Sequence, residues 1–146
     1  MIVSLFFTFD KSIKDWKKSG ILERELKPYI LLNKKYNISF NFITYGDLED
    51  IKILQNYNFI NIYPIYSKLS RPKNIFIKFF KSFLLIYFFR EVIKKSSILK
   101  SNQFNGLWIP LLCSLFFKIP FICRGGYIWY KFLDVQKANY LKKKIV

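Results

Sequence analysis

Histidine is missing from this chain altogether. That excludes imidazole metal ligands, Ser-His nucleophile pairs and any histidine base. Cysteine is scarce: Cys113 and Cys123 stand alone, too few for a disulfide framework. The first falls on an apolar run expected to be a helix and the second in an expected buried strand, where free thiols are the default. Acids are scarce too, 9 against 25 Lys and Arg, and too scattered to suggest a catalytic carboxylate pair. There is no Gly-x-x-x-x-Gly-Lys-Ser/Thr, hence no P-loop, and no Gly-x-Gly-x-x-Gly after the first strand. Cys-x-x-Cys pairs and the Gly-x-Ser-x-Gly elbow are also absent. Met1 to Phe9 is apolar without a basic leader, and no small-residue cleavage site follows, so no signal peptide is expected. Long uncharged runs are missing as well. Ile75 to Ile93 contains Lys78, Lys81 and Arg90; Leu107 to Cys123 contains Lys118 and is broken by Pro110 and Pro120. A spanning helix needs ~20 nearly uncharged residues, and neither stretch meets that.

What is present fits one domain. The 146 residues are 52% hydrophobic and 21% aromatic, enough to fill a core and too apolar for disorder. The formal charge is +16, and residues 51–133 hold 13 Lys and Arg against one acid, Glu91. Such a field favours phosphates, acidic lipid surfaces or nucleic acid. The abundance of Lys, Ile, Asn, Phe and Tyr also fits AT-rich coding bias, which gives the charge without a partner.

The pattern along the chain alternates strand and helix. Ile2 to Phe9 is β-branched and aromatic with only small polar breaks, as in a central strand buried on both faces. Asp10 to Ser19 is expected to be a long polar loop. A helix follows, capped by Ser19 or Gly20, with Glu23 and Glu25 in its first turns. Leu22, Leu26, Tyr29, Leu32 and Tyr36 share one face. Pro28 should kink this helix or move its start to Lys27. Ile38 to Tyr45 is a second strand, Gly46-Asp47 a turn and cap, and Leu48 to Gln55 a short helix. Phe59 to Tyr66 is a third strand, set at an edge by Pro64. After the basic loop Ser67 to Asn74, Ile75 to Ser96 is expected to be one long helix. Its stripe of Phe76, Phe79, Phe80, Phe83, Leu84, Tyr87 and Val92 is either core or a membrane-surface face. Ile98-Leu99, the polar turn Asn102 to Gly106, an apolar helix, the strand Pro120 to Cys123 and a last helix over Tyr127 to Asn139 complete the order. That order is an α/β, Rossmann-like, doubly wound, mostly parallel sheet of about five strands with flanking helices.

Open sheets of this kind bind ligands at the carboxyl ends of their strands. The loops expected there are Ser19-Gly20, Gly46-Asp47, Asn102 to Gly106 and Arg124-Gly125-Gly126. Glycines let backbone N–H groups approach an anion or a sugar hydroxyl. Arg124 offers two parallel bonds to a phosphate, and Asn102 and Gln103 offer both donors and acceptors.

Read together, five pieces carry a resemblance. They are Leu-Phe-Phe-Thr-Phe-Asp (5–10), Trp16 with Ser-Gly-Ile-Leu-Glu-Arg-Glu (19–25), and Phe-Ile-Thr-Tyr-Gly-Asp (42–47). Ser-Asn-Gln-Phe-Asn-Gly-Leu-Trp (101–108) and Arg-Gly-Gly-Tyr-Ile-Trp (124–129) complete them. In order and spacing the chain resembles the N-terminal domain of group 1 glycosyltransferases (family 4, GT-B fold). The resemblance implies one half of a GT-B architecture: a single acceptor-side domain over 1–146, ending before the donor-binding domain. It implies transfer of a sugar, with retention at the anomeric carbon, from a nucleotide-sugar donor to a surface polysaccharide or lipid-linked acceptor. Ser19, Gly20, Arg24, Asn102, Gln103, Arg124, Gly125 and Gly126 would line the acceptor side of the cleft. The donor is expected only with a second domain or chain, no cofactor is bound by this chain, and no metal-binding Asp-x-Asp is needed or present. Without that second domain the chain is not expected to turn over alone. Arg-Gly-Gly stands where relatives often carry His-Gly. The expected location is cytoplasmic, with peripheral contact on an anionic membrane. Two rival readings stand beside it: a non-catalytic truncated remnant, and a basic membrane-surface or nucleic-acid module. Nucleic acid is disfavoured because the basic residues are spread over several elements without a reading motif.

Overall fold

The computed structural model describes residues 1–125. Gly126, the expected helix at 127–139 and the basic end lie outside them. The chain is built on a five-stranded parallel sheet in the order β3-β2-β1-β4-β5. The strands are β1 (Ile2–Phe6), β2 (Ser39–Thr44), β3 (Ile60–Pro64), β4 (Ile98–Ser101) and β5 (Phe121–Ile122). β1 is the central strand: Ile2 to Phe6 pair with Ser39 to Ile43 on one flank, and Val3 to Phe6 with Ile98 to Ser101 on the other. β3 is an edge, as Pro64 requires.

Alternation splits the core into two layers. Val3, Leu5, Phe7, Phe40 and Phe42 face α1 (Ile13–Lys18), α2 (Leu22–Tyr36) and α3 (Leu48–Ile53). Phe6, Ile43, Tyr45 and Leu99 face α4 (Ile75–Ser82), α5 (Leu84–Phe88), α6 (Arg90–Lys94) and α7 (Trp108–Phe117). The small polar break at Ser4 proves structural. Ser4, Asn41 and Asn61 stand side by side in register, and Ser4 Oγ lies 2.6 Å from Ser96 Oγ. A one-residue slip would move this polar row into the opposite apolar layer, so it pins the register.

Several expectations are corrected. Asp10 to Ser19 is not all loop, because it contains α1. Ser12 accepts from Asp15 N while Asp15 Oδ2 accepts from Ser12 N, a capping box that starts a helix in a polar, lysine-rich stretch. Its payload is Ile13 and Trp16, with Trp16 stacked on Phe7 at 4.3 Å between centroids. α2 begins after Ile21 with no side-chain cap, so neither Ser19 nor Gly20 caps it, and it runs unbroken past Pro28. Of its expected stripe, Leu26 and Tyr29 are buried, while Leu32 and Tyr36 are exposed.

The expected long helix at 75–96 is three short ones. Ser82 marks the first break: its hydroxyl donates to Phe79 O and accepts from Trp108 Nε1, competing with the helical ladder. The buried face is Leu85, Phe89 and Ile93, not the expected stripe, and Phe76, Phe80 and Tyr87 lie exposed. Cys113 is buried as expected, but Cys123 is exposed, because β5 stops at Ile122.

One buried carboxylate joins three elements. Asp50 of α3 is fully buried; it accepts from Thr44 Oγ1 at 2.6 Å and from Lys14 N at 3.0 Å. Burial pushes its proton affinity up, and the bonds from Thr44 and from the amides opening α1 pull it back. Gly46 is glycine because a Cβ there would lie 2.0 Å from Asp50 Oδ2. We predict that Gly46→Ala costs about 2–3 kcal/mol by overpacking. Asp50→Ala should cost about 3 kcal/mol by orphaning its buried donors. Urea unfolding of the two variants checks both; losses under about 0.5 kcal/mol would contradict this account of the network.

Candidate functional site

The sheet order reverses between β1 and β4. β1 leads outward through β2 to β3, the chain then crosses over, and β4 leads outward to β5. This is the topological switch point, the place where open sheets of this kind bind ligands. The loop after β1 is Phe7 to Ser12, and the loop after β4 is Asn102 to Leu107.

These two loops are joined to each other. Phe9 N donates to Asn105 O at 3.1 Å and Asn102 N to Phe6 O at 2.8 Å. Gly106 takes φ +100, and a Cβ there would meet Phe9 N at 2.8 Å, so a side chain is excluded by both conformation and space. Asn102 is almost fully buried, with its Nδ2 donating to Thr8 Oγ1 at 3.2 Å. Its Oδ1 accepts no bond, alone in that respect among buried side-chain atoms of the described residues. A buried acceptor without a partner therefore lies at the switch point.

Asp10 closes one side. It holds a left-handed φ of 59, which Asp tolerates better than most residues. Its carboxylate accepts from Arg71 Nη2 at 2.9 Å and from Lys78 Nζ at 2.6 Å. The loop after β1 is thus tied to the basic loop and to α4.

A second cluster closes the other side. Arg124 N donates to Ser101 Oγ at 3.1 Å, fixing the chain as it leaves β5. The Glu25 carboxylate accepts from Arg124 Nη1 at 2.9 Å and from Arg24 Nη2 at 3.1 Å. Burial works against the charge on Glu25, but the two guanidiniums outweigh it and hold the carboxyl below its ordinary range. Beside them Lys100 Nζ donates to Tyr29 Oη at 3.2 Å. Burial, with help from Arg124, lowers Lys100 to about 8, and burial raises the Tyr29 hydroxyl to about 12. Three cations against one carboxylate leave this cluster positive and suited to an anion.

The expected site residues divide accordingly. Arg24 and Arg124 meet on Glu25. Asn102 lies at the switch point but is turned inward to Thr8, whereas Gln103 is exposed. Gly125 has open space around it. Ser19 and Gly20 form the turn between α1 and α2; Ser19 Oγ donates to Asp15 O at 2.8 Å, and Gly20 takes φ +69. Gly46 is filled by Asp50, so the loop after β2 offers no opening there. Gly126 lies outside the described residues.

Comparison with family models, curated proteins and solved structures gives no match. The geometry therefore stands on its own. Thr8, Asp10, Glu25, Tyr29 and Lys100 are the participants that sequence reasoning missed. Thr8 and Asp10 had a signal, a polar pair directly after the first apolar strand. Lys100 had a weaker one, a lysine inside a strand. No group of acids and cysteines suited to a metal exists among the described residues.

Lys100 sets a pH dependence. Below about 8 the folded chain bears the full cost of holding this ammonium. Between about 8 and the ordinary 10.5, the folded lysine is neutral while the unfolded one stays charged. The unfolded state then binds more protons, so stability rises with pH across that window. Lys100→Met should stabilise the domain at pH 7 and flatten the rise up to about pH 10, where tyrosine ionisation begins. Denaturant unfolding at several pH values checks this; an unchanged slope in the variant would contradict it.

Proposed function

We propose that this domain is the acceptor-binding half of a GT-B glycosyltransferase. It would present a sugar or lipid-linked acceptor to a nucleotide-sugar donor held by a second domain or chain. The observation that carries the reading is the switch point of the sheet. The loops after β1 and β4 meet there, beside Arg24 and Arg124, on a sheet of the Rossmann-like kind that the sequence resemblance implies. The chemistry present is recognition rather than catalysis. Gln103 is exposed and offers both donors and an acceptor, and the Arg24–Arg124 pair suits a phosphate on the acceptor. Retaining transfer would then draw its donor chemistry from the partner domain.

The membrane side of the reading rests on α4. Phe76 and Phe80 are about 70% exposed. Arg71 and Lys73, just before the same helix, are also exposed, and Lys81 on it is half-buried. Aromatic side chains flanked by cations suit an anionic bilayer surface. No helix among the described residues is long and apolar enough to cross a membrane. A peripheral position on the inner face of a cell membrane is the location this proposal adopts.

Binding is tested by surface plasmon resonance against saccharides and lipid-linked oligosaccharides. Arg124→Ala and Gly125→Trp should each weaken the best ligand more than tenfold with unchanged circular dichroism. Gly125 suits a bulky blocker better than Gly20, whose left-handed φ would itself strain a tryptophan. Unchanged binding in both variants would remove these loops from the site. Tight, steeply salt-dependent binding to DNA or RNA, with no saccharide bound, would replace the proposal with a nucleic-acid module. Flotation with phosphatidylglycerol vesicles should capture the chain, and Phe76→Glu with Phe80→Glu should release it.

A further inference from the structure

A cavity of about 420 Å³ lies on the sheet face that also carries α2. Its size is that of a small-molecule pocket, roughly 300–1,000 Å³. Val3, Phe40, Ile98 and Ile122 form its floor, and Leu32 of α2 stands on its rim. One end differs from the rest. Lys100, Tyr29 and Arg124 line it there, at the carboxyl edge of the sheet.

The polar end is unbalanced. Arg124 is answered by Glu25, but Lys100 forms no salt bridge to a carboxylate within the described residues. Its ammonium donates to the Tyr29 hydroxyl and stands 5.5 Å from the centre of that ring. Lys100 is half-buried, and the one carboxylate near it, Glu25, is already held by two guanidiniums, so an anion beside the ammonium would offset the cost of burying it. An apolar channel ending on such a cation is complementary to one kind of molecule, an apolar chain with an anionic head.

We propose that this cavity binds a single-chain amphiphilic anion, an alkyl carboxylate or alkyl phosphate. The head would lie between Lys100 and Arg124 and the chain along Val3, Phe40 and Ile98. This goes beyond the transferase reading and stands without it, since it depends on the cavity and its cations rather than on sugar recognition.

Isothermal titration calorimetry of the full chain tests it, with decyl phosphate and decanoate below their micellar concentrations. One saturable site is expected. Decanol, which lacks the charge, and inorganic phosphate, which lacks the chain, should each bind at least tenfold more weakly. Lys100→Met should weaken decyl phosphate at least tenfold while leaving decanol unchanged. Leu32→Trp, on the exposed rim, should block both with the fold retained by circular dichroism. Binding should also take up protons at pH 8.5, read from the dependence of the heat on buffer ionisation, because the anion draws a proton onto Lys100. Absence of saturable binding would overturn the proposal, including the case in which another part of the chain fills the cavity. Equal affinity in Lys100→Met, or no proton uptake, would overturn the placement of the head. Decyl phosphate binding with no saccharide binding would sink the transferase reading and leave this one intact.

Discussion

Strand β1 is the constraint on which the rest of the structure depends. It is paired in parallel on both flanks, and Val3 to Phe7 are buried on both faces. None of Val3 to Phe7 faces solvent, so each is fixed by a neighbour above, below or beside it. Phe6 and Ser4 belong to one layer, Leu5 and Phe7 to the other, and the polar row through Ser4 forbids a slip. Because the chain leaves β1 toward β2 and returns to its far side as β4, the switch point falls at the end of this strand. Position of the candidate site is therefore a consequence of topology, and the loop residues decide only what it holds.

Those loops are held by polar contacts that reach across the sequence. Asn102 reaches Thr8, Arg124 reaches Ser101 and Glu25, and Asp10 reaches Arg71 and Lys78. Each contact joins segments brought together only by the sheet. The cationic character of the edge follows. Asp10 and Glu25 each face two cations, and Lys100 forms no salt bridge among the described residues. A surface with this balance is better satisfied by an added anion than left as it is.

The strands were legible because parallel strands buried on both faces read as continuous apolar runs, and Pro64 marked the edge. Three features were hidden. α1 lies in a stretch of four lysines, where composition masks a capping box whose only apolar payload is Ile13 and Trp16. The run from Ile75 to Ser96 has apolar residues on every side, so no periodicity told its buried face from its exposed one. The first break comes instead from Ser82 meeting Trp108, a contact 26 residues away. The Lys100 cluster was invisible for the same reason: a strand lysine reads as a solvent-facing residue until β5 and α2 are placed on either side. Arg24 and Arg124 were legible as types, but their shared partner Glu25 is a product of the fold.

The most direct measurement is an amide chemical-shift titration of the isotope-labelled chain with its best-binding saccharide. If ligands bind at the switch point, the shifting amides will be those of residues 8–11, 102–106 and 124–125, joined by those near Arg24. Shifts confined to the β3 edge or to α4, with the loops after β1 and β4 unmoved, would contradict the account. The switch point would then be a structural joint and not a site.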